Sequence, residues 1–216
     1  MTATDTWRSA FPGAVAGALV MHEVRNPERS EALEARKRAL EEELRSRPGS
    51  EATLSAYAEH YRVHGKTYHV KAQWESVARK GKPIPSRAAL VEAMFMAELE
   101  NLLLTAGHDL EAIAAPVAVD ATRDGDRYVS MNGAERVLGP GDMKMADREG
   151  IISSVLHGPD RRTRIGAGTR SVLFAVYAPA GVGEPAVRHH LESIRANVLL
   201  VAPGAETELL TTVAAA

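Results

Sequence analysis

The chain of 216 residues contains no cysteine. This absence excludes disulfide bonds, thiolate zinc sites and a cysteine nucleophile together. Long hydrophobic runs are also missing, because Pro12, Gly13 and Gly17 interrupt the apolar stretch at residues 10–21. That stretch is too short to span a membrane, and it lacks the basic leader of a signal peptide. We therefore expect a cytoplasmic protein with no membrane partner.

Neither a charge excess nor a common catalytic motif marks the chain. Lysine and arginine number 26 against 28 aspartates and glutamates, a net charge of -2. This balance argues against a dedicated duplex DNA binder but leaves room for a locally basic groove. The sequence has no G-x-S-x-G elbow and no HExxH motif, and adjacent residues His189 and His190 would point in different directions on a helix. We expect no metal site and no cofactor.

The residues that are present indicate one globular domain, residues 1–216, since 45% are apolar and 25% are charged. An amphipathic pattern predicts a helix at residues 30–47, and residues 55–61 begin a short one. Residues 87–105 are apolar nearly all round, which predicts a central buried helix that Gly107 ends. A further helix should run from Pro185 to about residue 196.

Turn signals between short extended runs predict a meander of antiparallel strands. They are Asp124-Gly125, Asn132-Gly133 and the Gly-Pro-Gly at residues 139–141. The fold class is therefore mixed α/β, of the α+β type, with a mostly antiparallel sheet flanked by helices. Further strands are predicted at residues 14–24, 116–122, 150–157, 171–177, 198–201 and 208–213.

The same region carries a family resemblance. Residues 124–126 (DGD), 132–138 (NGAERVL), 140–142 (PGD) and 146–147 (AD) occur in the order seen in the editing (B3/B4) domain of the bacterial phenylalanyl-tRNA synthetase β chain, which they resemble. The resemblance covers residues 61–179. It implies a B3/B4-like core there, preceded by an N-terminal strand and helices at 1–60 and followed by a helix and closing strands at 180–216.

The resemblance also implies a chemistry. Editing requires a pocket for an amino acid, a groove for the terminal adenosine of tRNA and a water positioned to attack the ester carbonyl. An aminoacyl ester is already activated, so positioning and oxyanion stabilisation can supply much of the rate. The chain has no aminoacylation core, ATP-binding signature or anticodon domain, so self-charging of tRNA is not expected.

Three catalytic candidates follow from the resemblance. The family has a histidine and an aspartate after its corresponding helix, and His108-Asp109 are their counterparts. His157 to Asp160 lie where the family has an apolar residue, two glycines and then a glutamate that recognises the substrate. Asp160 would replace that glutamate, and His157 would act as a general base or order a water. Ordinary roles stay open: a helix-ending histidine, a loop histidine and an aspartate that caps a turn.

Three further residues are candidates for binding the substrate. Glu98 lies in the helix that should be buried, so it needs a partner. It could line the pocket, or it could pair with an arginine. Gly158 would allow close backbone approach, and Thr163 could bond a ligand hydroxyl or be an ordinary strand threonine.

Two basic clusters predict contact with nucleic acid, although each could be a solvated surface. The first basic cluster lies within residues 62–87, and the second consists of Arg161, Arg162 and Arg164. In the first, Tyr68 and Trp74 would be available for base stacking. The predicted nucleic-acid-binding residues are Arg62, Lys66, Lys71, Arg79, Lys80, Lys82, Arg161, Arg162 and Arg164.

The leading hypothesis is a trans-acting hydrolase that deacylates mischarged aminoacyl-tRNA and contacts the tRNA acceptor end. A second hypothesis is a non-catalytic module that binds an amino acid or an acceptor stem. A third is a hydrolase or transferase of other aminoacyl esters or small amides. The sequence leaves the amino acid and the oligomeric state open.

Overall fold

A computed structural model of the chain describes residues 1–46 and 49–215. Arg47, the last residue of the predicted helix at 30–47, lies outside this part. None of the described helices is long and apolar enough to cross a membrane. The helices are α1 (Asp5–Ala10), α2 (Glu31–Ser46), α3 (Glu51–Arg62), α4 (His69–Ala78), α5 (Ala89–Asn101) and α6 (Glu184–Val201).

The strands form two larger sheets and one hairpin. The first sheet has the order β11-β2-β10-β3, the second has the order β1-β4-β7-β8-β9, and β5 pairs with β6. The strands are β1 (Thr2–Ala3), β2 (Val15–His22), β3 (Thr105–Asp109), β4 (Ala118–Ala121), β5 (Arg127–Val129), β6 (Glu135–Val137), β7 (Met143–Asp147), β8 (Gly150–Ser154), β9 (Gly158–Pro159), β10 (Val172–Ala178) and β11 (Glu206–Ala214).

The four-stranded sheet lies at the centre of the core. All its pairings are antiparallel, and every residue of β10 is buried. A strand that is apolar at every position, such as β10, can be buried on both faces. Helix α6 packs on this sheet and against α5 through Val187, Leu191, Ile194 and Val198, which recur every three or four residues and are fully buried.

The five-stranded sheet and the β5–β6 hairpin contain the predicted meander. The pairs β4–β7, β7–β8 and β8–β9 are antiparallel, and only β1 joins in parallel, to β4. Gly133 has a φ of 83° in the hairpin turn, which a glycine adopts without steric strain. The predicted fold class, mixed α/β with mostly antiparallel sheet and flanking helices, is confirmed.

Two predicted elements are wrong. Residues 105–109 are strand β3 and not the end of the central helix, because Leu102 takes a left-handed conformation (φ 62°) and ends α5 at Asn101. Gly107 lies within β3 and does not end the helix. A glycine is required there because a Cβ would lie 2.7 Å from Ile165 Cδ1. Residues 198–201 belong to α6 and not to a strand. Val198 lies four residues after buried Ile194, so it falls on the same buried face of the helix.

We predict that Gly17→Ala destabilises the protein by about 1–3 kcal/mol through overpacking. The added Cβ would lie 2.6 Å from Val187 Cγ1 and 3.1 Å from Leu191 Cδ1, where α6 crosses β2. Denaturant unfolding measures the change. Gly139→Ala is the control, since its Cβ would meet no atom within 4 Å. Equal stability of the Gly17 variant and the wild type would contradict this packing.

Candidate functional site

A chain of buried hydrogen bonds joins the two larger sheets. His108 of β3 has Nδ1 2.7 Å from Thr163 Oγ1 and Nε2 3.2 Å from Ser153 Oγ of β8. The Ser153 hydroxyl also bonds the Tyr177 hydroxyl of β10, and the Thr163 hydroxyl donates to Asp160 Oδ1. The sequence candidates His108, Thr163 and Asp160 are thus brought together.

The hydrogen bonds of this network all run in one direction, from donor to acceptor. Because the Thr163 hydroxyl donates its one proton to the Asp160 carboxylate, its oxygen must accept from His108 Nδ1–H. A neutral imidazole then presents Nε2 as an acceptor for the Ser153 hydroxyl, which in turn accepts from Tyr177. Every donor in the series therefore has an acceptor, and the series ends on a carboxylate.

Burial keeps His108 neutral. It has no exposed surface, and burial, with the nearby Arg162 charge, lowers its pKa to about 3, while Asp147 opposes the shift. Asp160 is also buried and accepts from both the backbone N–H and the hydroxyl of Thr163. Because these groups are buried and bonded to one another, a substrate has no direct access to them in this conformation.

His157 lies apart from this chain, in a groove of about 370 Å³. Lys66 Nζ donates to Leu156 O at 3.2 Å at the edge of this groove. Burial lowers the His157 pKa, the Lys66 charge lowers it further, and Asp142 opposes both. A neutral imidazole thus lies between cations. The described residues that line this groove are Lys66, His69, Arg136, Val155, Leu156, His157 and Gly158.

Two residues that line this groove were not among the site residues predicted from the sequence. His69 begins α4 with its pKa lowered by burial, and Arg136 donates through Nε to Ser130 Oγ at 3.3 Å. The signal for Arg136 was present, because the Asn132-Gly133 turn fixes a hairpin in which residue 136 faces opposite to residue 137. No local pattern brings His69 to His157, since this proximity depends on the tertiary fold.

Glu98 lies under the sheet and lines none of the cavities described in this section. Its Oε1 accepts the backbone N–H of Thr105 at 2.7 Å, and burial raises its pKa to about 8. No arginine pairs with it among the described residues, so the predicted ion pair is wrong. It instead bonds the first residue of β3, three residues after the left-handed turn at Leu102.

The second basic cluster borders another groove, of about 510 Å³, that includes Arg161, Arg162, Arg164 and Thr169. Arg162 is held internally: its Nη2 donates to both Asp147 oxygens at 2.9 and 2.8 Å, and its Nη1 donates to Ala112 O at 2.6 Å. Arg161 and Arg164 make no ion pair among the described residues, so they are the cations of this cluster that a ligand would meet.

The first basic cluster is less uniform than predicted. Arg62 pairs with Glu59 at 2.6 Å, and Arg79 lies 3.9 Å from Glu75 and 5.5 Å from the Trp74 ring centre. Lys66 lines the His157 groove, while Lys71, Lys80 and Lys82 are exposed.

Base stacking on Tyr68 and Trp74 is wrong as a prediction, because the two side chains are only 4% and 5% exposed. Tyr68 stacks on Tyr57 at 4.3 Å between ring centres and donates its hydroxyl to Leu102 O. Among residues 1–46 and 49–215, no group of three or more histidine or acidic side chains is placed to hold a metal ion.

Comparisons with known proteins bear on the family. No family model matches the chain. It is 36% identical over 102 residues to the phenylalanine-tRNA ligase beta subunit of Anaeromyxobacter dehalogenans (strain 2CP-C), covering 43% of this chain and 12% of that protein. It is 31% identical over 124 residues to the beta subunit of Leifsonia xyli subsp. xyli (strain CTCB07), covering 56% and 14%. The chain is similar to a segment of phenylalanine-tRNA ligase beta subunits.

The structural comparison agrees with this similarity. An N-terminal fragment of the phenylalanyl-tRNA synthetase beta subunit from Pyrococcus horikoshii superposes with a TM-score of 0.52 at 10% identity, covering 98% of this chain and 53% of that one. At that identity the match concerns the fold alone. The resemblance to the phenylalanyl-tRNA synthetase β chain is confirmed, and this chain spans a minor part of the length of the curated relatives.

We predict that Thr163→Val destabilises the protein by about 1–3 kcal/mol. Valine has nearly the same shape, but it leaves His108 Nδ1–H without its acceptor and Asp160 Oδ1 without its hydroxyl donor. Denaturant unfolding measures the loss. The control is Thr211→Val on β11, expected to change stability by no more than about 0.5 kcal/mol. Equal effects of the two variants would contradict the directed hydrogen-bond chain.

The raised pKa of Glu98 predicts a pH-dependent stability. Between pH 4.5 and about 8 the unfolded chain releases this proton while the folded chain keeps it, so stability falls as the pH rises, by up to about 1.4 kcal/mol per pH unit. Glu98→Gln keeps an acceptor for Thr105 N–H and removes the titration.

The Glu98→Gln variant should therefore match the wild type near pH 4 and be more stable near pH 8. Urea unfolding at both pH values tests this, with exposed Glu111→Gln as the control. If the stability difference between Glu98→Gln and the wild type is the same at both pH values, Glu98 is not protonated in the folded state.

Proposed function

We propose that this protein hydrolyses the ester bond of mischarged aminoacyl-tRNA and that the reaction takes place in the His157 groove. The observation that carries the proposal is an accessible imidazole with a lowered pKa, flanked by Lys66 and Arg136. A volume of about 370 Å³ lies in the range of small-molecule sites. The site thus combines a base, cations and space for the end of a charged tRNA.

Neutral His157 would take a proton from water as the water oxygen attacks the ester carbonyl. The negative charge that forms on the carbonyl oxygen would be stabilised by Lys66 and Arg136. As the tetrahedral intermediate collapses, the carbon–oxygen bond to the ribose breaks and the imidazolium returns its proton to the leaving hydroxyl. The products are the free amino acid and uncharged tRNA, and no external reactant is needed besides water.

Two observations support tRNA as the carrier of the ester. The chain is similar to part of a tRNA ligase beta subunit, and Arg161 and Arg164 are unpaired among the described residues. Cations of this kind bind phosphate without reading sequence, which suits an acceptor end. We base the proposed editing role on this similarity to tRNA ligase beta subunits. A panel of mischarged tRNAs would identify the amino acid that is removed.

A second candidate is a binding module without turnover. It is favoured by the separation of the three sequence candidates, since His108 and Asp160 are buried in one network and His157 alone lines the groove. Such a module would hold the acceptor end or an amino acid in the same groove. A hydrolase of other aminoacyl esters would cleave free esters at a rate that tRNA does not raise.

We predict that His157→Ala slows deacylation at least about a hundredfold, the usual contribution of a general base. Mischarged tRNAs labelled on the amino acid are incubated with the protein, and the remaining ester is measured with time. His189→Ala is the matched control, because His189 is an exposed histidine that borders a different cavity. The wild-type rate should persist below pH 6.5, since the His157 pKa is lowered.

The three candidate functions give different results. Loss of charged tRNA that depends on His157 supports editing. Binding without loss of ester indicates the module, and equal cleavage of free aminoacyl esters with no gain from tRNA indicates the third class. A full deacylation rate in the His157→Ala variant would overturn the assignment of the groove.

A further inference from the structure

A second cavity of the described chain is larger than the His157 groove. It is an open cleft of about 1010 Å³ between the turn after β2, the loop before β10 and the end of α6. Three arginines, Arg25, Arg29 and Arg170, line it, and Glu23 is the single carboxylate among the described lining residues. The cleft therefore carries an excess of positive charge in a protein whose total charge is -2.

These arginines are available to a ligand. All three are exposed, and none of them makes an ion pair within residues 1–46 and 49–215. Glu34 lies near Arg29, but Lys37 Nζ holds its carboxylate at 2.6 Å. Arg170 donates through Nη1 to Thr169 O at 3.1 Å, which orients its guanidinium and leaves its other nitrogens free.

The backbone that carries the arginines is fixed by buried hydrogen bonds. Asn26, buried between Arg25 and Pro27, donates through Nδ2 to Gly166 O at 2.8 Å, and its Oδ1 accepts from Leu90 N at 2.9 Å. Val24 N donates to Arg170 O at 3.0 Å. The two arginine-bearing segments are thus tied to each other and to α5, so little backbone conformational entropy would be lost on binding.

The cleft adjoins the groove of Arg161 and Arg164. Residues 166–170 form one loop between them: Ala167 and Arg170 line the cleft, while Gly166, Gly168 and Thr169 line the groove. Thr169 Oγ1 donates to Asp109 Oδ2 at 2.6 Å and accepts from Gly166 N at 2.9 Å, which fixes the loop. Unpaired arginines therefore lie on both sides of a rigid loop.

Guanidinium groups bind phosphate in a bidentate manner, and a series of them suits a chain of phosphates. Val201, which is half-buried, gives the cleft an apolar edge against which a sugar or base could lie. We propose that the Arg25, Arg29 and Arg170 cleft is a phosphate-binding site that holds the backbone of RNA. This inference does not rest on ester hydrolysis, because it concerns uncharged RNA.

The test measures binding of a fluorescent single-stranded RNA to the full chain by anisotropy over a range of salt concentrations. The variant carries Arg25→Gln, Arg29→Gln and Arg170→Gln. The control carries Arg38→Gln, Arg127→Gln and Arg188→Gln, which remove the same charge from exposed positions outside the cleft. Inorganic pyrophosphate and ATP are added as competitors to separate a polymer site from a small-phosphate site.

We expect the cleft variant to bind RNA at least about tenfold more weakly and the control to stay within about twofold. The slope of log affinity against log salt should fall by up to about 2, as three phosphate contacts are lost. Direct binding of pyrophosphate or ATP that the cleft variant loses, with its RNA binding unchanged, would show a site for small phosphates and overturn RNA as the occupant.

Two results would overturn the proposal: a wild type that binds neither RNA nor small phosphates, or equal binding by the cleft variant and the control. Thermal unfolding of each variant verifies folding. If the triple variant unfolds, Arg170→Gln alone is compared with Arg170→Lys, which keeps the charge and should retain more affinity. Equal affinity of Arg170→Gln and the wild type would likewise overturn it.

Discussion

The buried hydrogen-bond chain through His108 is the interaction on which the rest of the structure depends. It joins Tyr177 and His108 of the four-stranded sheet to Ser153 of the five-stranded sheet and then reaches Asp160. An unpaired polar group at this depth would be unfavourable by about 1–3 kcal/mol, so the sheets are held in the one relation that satisfies every member. This hydrogen-bond network also fixes the start of the loop that bears Arg161 and Arg164.

This constraint decides where chemistry can occur. The groups inside the network are neutral or fully bonded, and their bonds are used to align two sheets. The groups that can meet a ligand lie on either side of it: the imidazole of His157 in one groove, and the unpaired arginines around the loop at residues 166–170 in the others. Recognition of an anionic polymer and attack on an ester are both compatible with that separation.

The sequence predicted the strands and helices well where the pattern was local. The hairpin at Asn132-Gly133, the apolar strand β10 and the buried helix α5 all follow from turn chemistry and periodicity. It failed at residues 105–109, since a left-handed Leu102 ends the helix where no glycine or proline marks it. Which histidine is accessible could not be predicted, because access depends on packing between distant strands. The division into a core at 61–179 with flanking parts stays a prediction.

Imidazole ¹⁵N NMR, recorded from pH 4 to pH 8 with and without a non-hydrolysable aminoacyl-adenosine analogue, tests the central claim most directly. The claim is that His108 is a neutral structural link and that His157 meets the substrate. The account predicts that His108 keeps a proton on Nδ1 and none on Nε2 at every pH, unchanged by the analogue, while His157 titrates below pH 6.5 and its signals shift on binding. Titration of His108 near pH 6.5, or a shift at His108 with none at His157, would contradict the account.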